Sequence, residues 1–438
     1  MNKKTNSSSI LIYIIACIFS TPTYCLSQVT IIEAPGNFEF VDMGFNAATE
    51  QAVIVGHVFE NEQLTPTIFE PNANQDGFTT QTLSNLANAT IEAIVTGISP
   101  DGSRIAGFSN SPNTDFDFEG ITWQTSAPNS PVGIGFLATT DNTSQSVGAF
   151  NNGVVGSSGG ATRSIIWDTT NGIQELPGTL GFSTGAQDVN ADGRIIVGLS
   201  AHENPSGAAY YWIKDVDTNT FSIHRLDDNI EDHTTISSVP RVVSPNGNYI
   251  GGEILALTTA GDSVLYSVVW EGSARTLRVL RDRNGNFVQA NTFDVSNAGI
   301  VVGAYFNDEL TDFFGFIWKP EFGDNVRLFE DWLDEVAPNN TFTAGSFFVN
   351  SVATASDNRL LFTVLDRTGS FSLIDLVLES TDIMLGDVNR DGAVDFFDIA
   401  PFIDVLTANG FQDEADLDQN GSVDFFDIQP FIDLLSGP

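Results

Sequence analysis

A chain of 438 residues, 42% of them apolar, can bury more than one core, and a charged fraction of only 17% excludes intrinsic disorder as its general state. Its 56 acids against 17 bases give a formal net charge of −39, which repels phosphate backbones and anionic membranes and attracts divalent cations. Nucleic acid is excluded as a partner class.

The N-terminus, MNKKTNSSSILIYIIACIFSTPTYCLSQ, carries Lys3 and Lys4, an apolar run from Ile10 to Phe19, then small and polar residues. The run is too short for a stable bilayer span and has the order of a secretory signal peptide over residues 1–27, with cleavage after Ser27. Cleavage removes two positive charges and no acids, taking the net charge from −39 to −41. It also removes Cys17 and Cys25, the only cysteines, so no disulfide or thiolate–metal chemistry remains. A second reading takes Ile14-Ile15-Ala16-Cys17 as a lipobox, with the chain anchored through Cys17. Both readings export the protein, as a secreted or cell-surface molecule.

Over residues 28–381 a β-rich tetrad recurs: VIVG (53–56), RIAG (104–107), GVVG (153–156), IIVG (195–198), YIGG (249–252), IVVG (300–303) and a degenerate LLFT (360–363). The steps are 51, 49, 42, 54, 51 and 60 residues, the spacing of stacked or radially arranged units. Tight-turn tetrapeptides precede most copies, as in SPDG (99–102), NADG (190–193), SPNG (244–247) and SNAG (296–299), so each tetrad reads as the second strand of a hairpin. After five tetrads an apolar run ends in tryptophan, at Trp123, Trp167, Trp212, Trp270 and Trp318, read as apolar wedges between units. A fourth strand follows, such as FSIHRL or NVRLF.

Four antiparallel strands in about 50 residues, repeated about seven times, predict a mostly β fold, a seven-bladed β-propeller, because so small a sheet can cover its faces only against neighbours in a ring. The last unit supplies three strands, ending with SFSLIDLVLE (370–379), and VTIIEA (29–34) is expected to join it and close the ring. The turn, tetrad and Trp-ended strand resemble the HAF-type extracellular repeat over most of residues 40–378. That resemblance implies an exported repeat protein and brings no catalytic residues.

Residues 382–438 contain one pattern twice: DVNRDGAVDFFDIAPFIDVL from Asp387 and DLDQNGSVDFFDIQPFIDLL from Asp416. In the first, oxygen-bearing side chains fall at loop positions 1, 3, 5, 9 and 12 (Asp387, Asn389, Asp391, Asp395, Asp398), with Gly392 at 6 and the carbonyl of Ala393 at 7. In the second they are Asp416, Asp418, Asn420, Asp424 and Asp427, with Gly421 at 6 and the carbonyl of Ser422 at 7. A loop that bends sharply at glycine can wrap the six to eight oxygens that a Ca²⁺ ion takes, so two calcium ions are expected, with binding coupled to folding of the segment. After each loop, apolar residues recur at helical spacing, as at Phe396, Ile399, Phe402, Ile403 and Leu406, and Asn409-Gly410 ends the first helix. Pro401 and Pro430 must fall in the first turn of a helix or kink it.

Loop, helix, linker, loop, helix, with Asp at position 12, resembles a type I dockerin, a calcium-dependent plug for cohesin domains. The resemblance covers residues 386–437 and implies that the twelve ligand positions bind calcium. It also implies that loop positions 10 and 11 help choose the partner, a cohesin-like or other surface protein. Those positions are Phe396-Phe397 and Phe425-Phe426, where cellulosomal dockerins show small polar residues. Adjacent helical residues point about a quarter-turn or more apart, so one Phe of each pair is expected in the core and the other on an apolar docking patch; the competing reading packs both between the helices.

Other motifs read as structure. DVNADG (188–193) begins like a calcium loop, but positions 9 and 12 are Ile196 and Leu199, which leaves a hairpin turn. GSSGG (156–160) and GFSTG (181–185) match a hydrolase elbow without the helix it needs. His57, His202, His224 and His233 have no metal-ligand spacing. The expected protein is therefore an exported, non-catalytic binder whose propeller presents a glycan or protein ligand surface and whose tail docks through calcium. The alternatives are a polysaccharide-cleaving propeller tethered by the same tail, favoured by two carboxylates about 5 to 10 Å apart at the channel mouth, and a surface protein merely stiffened by calcium.

Overall fold

The computed structural model describes residues 26–436, apart from 61–62, 88, 90–92, 111–117, 160–162, 179–183, 201–206, 307–312, 338–339, 341, 343–347, 357, 367, 379–384, 390–393, 408–412 and 418–422. The lipobox reading lies outside the described residues, and so does the signal reading except for Leu26 and Ser27, which begin a strand. The chain divides into two compact units, the first holding Gln28–Val377 and the second Leu378–Pro438.

The first unit is a ring of seven four-stranded sheets, the predicted propeller. In chain order the first strands of blades 1 to 7 are Phe38–Asn46, Ile94–Ile98, Ser144–Phe150, Thr184–Val189, Thr234–Val243, Ala290–Val295 and Phe348–Ser356, and these surround the axis. Each tetrad lies on the second strand, whose two faces are covered by the adjacent blades. That double burial is why the tetrads read as continuous apolar runs without alternation; Gly153–Ser158 is buried at all six residues.

Every first strand carries a β-bulge, at Phe40/Asp42, Val95/Gly97, Ser146/Gly148, Ala186/Asp188, Pro240/Val242, Thr292/Asp294 and Val349/Ser351. The bulge explains the glycine that ends six tetrads. A Cβ at Gly56 would stand 1.8 Å from the Glu39 carbonyl oxygen, and one at Gly156 would stand 1.8 Å from that of Gln145. Thr363 pairs with Ser351 as Val55 pairs with Asp42, so the degenerate seventh copy is Leu361–Val364, one residue later than LLFT. The turn glycines Gly102, Gly193, Gly247 and Gly299 all have positive φ, as the hairpin reading requires.

Residues Leu26–Glu33 join blade 7 beside Phe371–Leu378, which completes its four strands as expected. Ala34 N–H donates to the Phe371 carbonyl at 2.8 Å, and the Phe371 ring lies 5.4 Å from that of Phe40 in blade 1. Trp123, Trp212, Trp270 and Trp318 are buried wedges, and three of them also tie blades together. Trp123 Nε1–H donates to Ser84 O at 2.7 Å, Trp212 to Pro177 O at 2.6 Å and Trp270 to Asp227 O at 2.6 Å, each acceptor lying just past the outer strand of the preceding blade. Trp318 instead bonds Gly323 O within its own blade, and Trp167 is only half-buried.

One element departs from the sequence reading. The expected strand NVRLF is reduced to Arg327–Leu328, and helix α1, Phe329–Val336, follows. Its buried residues Phe329, Trp332, Leu333 and Val336 fall at helical spacing, and Phe329 and Trp332 both pack on Phe362 of blade 7.

The second unit holds two copies of a 3₁₀ turn leading into a helix. Phe396–Asp398 precedes α2 (Ile399–Thr407), and Phe425–Asp427 precedes α3 (Ile428–Ser436). The helices meet through Phe402 and Phe431, whose rings stack 4.2 Å apart at 12°, with Val388, Ala415 and Val423 completing the core. Pro401 and Pro430 are each the third residue of a helix, where the missing N–H costs no hydrogen bond.

Candidate functional site

The axis of the propeller encloses a cavity of about 250 Å³ bordered by the bulges and by turn residues such as Pro100, Pro245 and Asn297. Three carboxylates face it: Asp42, Asp188 and Asp294, from blades 1, 4 and 6. They occupy one structural position, the residue just past the bulge, which is Gly97, Gly148, Val242 and Ser351 in the other blades. Each carboxylate spans two blades. Asp42 accepts the Met43 N–H at 2.7 Å on Oδ1 and the Ile98 N–H of blade 2 at 2.8 Å on Oδ2. Asp188 does the same with Val189 at 2.7 Å and Val243 of blade 5 at 2.8 Å. Asp294 repeats it with Val295 at 2.6 Å and Val352 of blade 7 at 2.8 Å. Glycine next door makes room: a Cβ at Gly97 would stand 3.3 Å from Asp42 Oδ2, and one at Gly148 would stand 3.2 Å from Asp188 Oδ1.

Enclosure in the ring costs the ionised forms solvation, and the donated N–H groups offset only part of that cost. Burial raises Asp42 to about 6. Burial, reinforced by the charge of Asp42, raises Asp188 to about 7. Asp294 is raised well above the usual range by burial and then by the charges of Asp42 and Asp188. Among the described residues the one base bordering the cavity is Arg241, engaged at 2.7 Å by the buried Glu253, whose other oxygen accepts the Thr292 N–H of blade 6 at 3.0 Å. His57 is likewise a buried link, its Nε2 accepting the Val95 N–H of blade 2 at 3.1 Å.

Asp42 and Asp294 did not stand out among the 56 acids of the sequence, and Asp188 did so only as the first residue of DVNADG, although a further signal existed. Aligning the copies on glycines Gly102, Gly153, Gly193, Gly247 and Gly299 puts Gly97, Gly148, Asp188, Val242 and Asp294 in one column, five residues earlier. The DVNADG stretch is a hairpin turn as expected: Asn190 Oδ1 accepts the Arg194 and Ile195 N–H groups, and Asp188 is a channel residue. The next described elements after GSSGG and GFSTG are strands, Arg163–Asp168 and Thr184–Val189, and among the described residues no helix follows either motif directly.

In the second unit the structure describes Asp387, Asn389, Asp395 and Asp398 of the first loop, and Asp416, Asp424 and Asp427 of the second. Asp391, Ala393, Asp418, Asn420 and Ser422 lie outside the described residues. Asp398 and Asp427 are wholly buried, and Asp387 and Asp416 nearly so. Asp395 caps its turn by accepting the Phe397 N–H at 2.8 Å, and Asp398 accepts the N–H groups of Asn389 and Asp395 at 2.9 Å each. Asp424 and Asp427 repeat the exchange, with Phe426 N–H and Asp424 N–H donating at 2.8 Å. Each fold copy therefore withdraws loop positions 1 and 12 from water, in a segment (378–438) holding fourteen acids and the single base Arg390. Hard oxygen donors withdrawn from water in so acidic a segment suit Ca²⁺, whose charge would compensate them. Among the described residues, no three acidic or histidine side chains converge as a complete metal site.

The expectation for the phenylalanine pairs is corrected. Phe396 and Phe397 are 78% and 71% exposed, and Phe425 and Phe426 are 78% and 70% exposed, so neither member of either pair is core. Both lie in the 3₁₀ turn before the helix, and the space between the helices is already filled by Phe402 and Phe431.

No family model and no curated protein matches the chain. Solved structures with a similar fold include the β-propeller domain of the Trilobed protease from Pyrococcus furiosus, at 12% identity and TM-score 0.47, covering 77% of this chain and 93% of that one. A putative TolB from Agrobacterium tumefaciens is 15% identical at TM-score 0.35, over 57% of this chain and 87% of that one. A catalytically inactive virginiamycin B lyase from Staphylococcus aureus, solved with quinupristin, is 10% identical at TM-score 0.42, covering 80% of this chain and all of the other. The sheet order, with its seven closed blades, places the first unit among β-propellers.

Proposed function

We propose that the protein is an exported, non-catalytic binding protein whose propeller presents a glycan or protein ligand surface and whose HAF-like repeats carry a dockerin-like, calcium-dependent tail for attachment to a cohesin-like or other surface protein. The observation that carries this reading is the tail itself: two copies of one loop with acids at metal-ligand spacing, each holding a bare aromatic pair at positions 10 and 11. Ca²⁺ would be held by Asp387, Asn389, Asp391, Asp395 and Asp398 with the Ala393 carbonyl, and by Asp416, Asp418, Asn420, Asp424 and Asp427 with the Ser422 carbonyl. When bound, the ion supplies positive charge that orders the loops.

The test is calorimetric titration of the full chain with CaCl₂ after chelation. Two ions per chain are expected, none in a variant carrying Asp398→Ala and Asp427→Ala; a chain that takes up no calcium at millimolar supply ends the attachment reading. The second reading, a polysaccharide-cleaving propeller, is favoured by the three mutually repelling carboxylates in the channel. Set against it, both oxygens of each carboxylate already serve backbone N–H groups of two blades, an arrangement suited to holding a ring together.

A further inference from the structure

Among the described residues, the two aromatic corners of the tail unit are the largest exposed apolar side chains outside the propeller, and nothing in the core explains them. Phe396 and Phe397 sit between loop positions 9 and 12, so the same two acids, Asp395 and Asp398, cap the turn and fix the pair; Asp424 and Asp427 do so for Phe425 and Phe426. In the helix that follows each pair, Ile403 and Ile432 are also about half exposed. The next residues, Asp404 and Asp433, are exposed acids. Each copy thus exposes a phenylalanine pair and, on the helix that follows it, an isoleucine and an acid.

Size and charge together select the occupant. At the usual area of a phenylalanine side chain, one pair offers about 300 Å² of exposed apolar surface. That is less than half of the roughly 800 Å² each partner gives to a standard interface, enough for a central anchor and too little for an obligate dimer. A second copy would bring the same acidic rim against this one, since residues 378–438 hold fourteen acids and one base. Two bound Ca²⁺ ions would leave the segment strongly negative. Anionic lipid is repelled for the same reason.

We infer that each aromatic corner of the tail docks into a protein groove that has apolar pockets at its centre and lysine and arginine at its rim. Phenylalanine rings entering the pockets give the affinity, and Asp404 and Asp433 meet the basic rim, which sets approach and orientation. The inference rests on the docking reading of the tail and adds the chemistry of the partner surface.

The test pans a random-peptide phage library against the immobilised full-length protein in millimolar calcium. The comparison proteins are the Phe396→Ser, Phe397→Ser, Phe425→Ser, Phe426→Ser variant and an Asp404→Lys, Asp433→Lys variant. All four rings are exposed, so the serine variant should keep the circular dichroism and calcium uptake of the parent. The expected result is enrichment of peptides that combine Lys or Arg with apolar residues, falling about tenfold or more in the serine variant and also weakened by charge reversal. Calcium-dependent, Phe-dependent enrichment of uncharged or acidic peptides overturns the basic groove and leaves the docking reading standing. Enrichment that is the same for parent and serine variant, with and without chelator, removes both. Phe-dependent binding to phosphatidylcholine vesicles, or Phe-dependent dimers in sedimentation, overturns the inference in favour of a membrane or a second copy.

Discussion

Raising the pH should weaken the propeller, because the three channel carboxylates hold protons more tightly in the fold than in the unfolded chain. For Asp188, raised from the ordinary 3.8 to about 7, the difference of about three units corresponds to at most about 4 kcal/mol of folding free energy lost on ionisation. Asp42, raised to about 6, adds at most about 3 kcal/mol. Charges in a protein interior respond with an effective dielectric well above that of dry protein, so about half of each value is the working figure. A folded value above the unfolded one means that the native state binds more protons between about pH 4 and 7, so stability falls as pH rises through that window and levels off above it. His57 acts in the opposite direction: burial holds its ring below the usual imidazole range, so its contribution is lost as pH falls through the 6.5 of the unfolded state. One histidine opposes three carboxylates. All six tryptophans lie between residues 123 and 332, so urea unfolding followed by tryptophan fluorescence reports the propeller alone. Between pH 5 and pH 7.5 the urea midpoint should fall. Asp188→Asn should be less stable than the parent at pH 5, where its amide N–H meets a backbone N–H, and should show a shallower pH dependence by about one proton. A midpoint that rises with pH over this range, or a slope untouched by Asp188→Asn, refutes the reasoning.

Two substitutions in blade 3 separate steric exclusion from backbone preference. Gly156→Ala drives a Cβ into the Gln145 carbonyl and should cost about 3 kcal/mol or more, whereas Gly172→Ala, in an open turn at positive φ, should cost about 1 kcal/mol, both read from urea midpoints. Trp270→Phe removes a fully buried indole and its bond to the Asp227 carbonyl, and should lower propeller stability by about 2 to 4 kcal/mol in the same assay. Chelation of calcium should speed proteolysis within residues 378–438 without moving the tryptophan melting curve; a parallel loss of both signals would show that the ions stabilise the propeller as well.

Much of the fold was legible because its rules are local and repeated. An apolar second strand recurs in every copy, with a turn glycine before most and a Trp-ended third strand in five, and the unpaired VTIIEA could be matched with the incomplete last blade by counting strands alone. The same locality displayed the order of oxygen-bearing residues proposed to bind calcium, since all of those positions in one loop lie within twelve consecutive residues. Helix α1 went unread because Phe329, its first residue, was counted as the end of the strand NVRLF and the spacing of Trp332, Leu333 and Val336 beyond it was not followed. The phenylalanine pairs were misplaced because helical periodicity was carried back into a 3₁₀ turn, where the same residues face water.

Closure of the ring decided the rest. Asp42 and Asp294 are more than two hundred residues apart in the chain, and only the seven-fold arrangement brings their carboxylates to one cavity with Asp188 and raises all three by shared enclosure. A local pattern can specify what each blade is made of. Which acids come to share an axis, and therefore which of them resist ionisation, depends on contacts between distant blades that no local window contains.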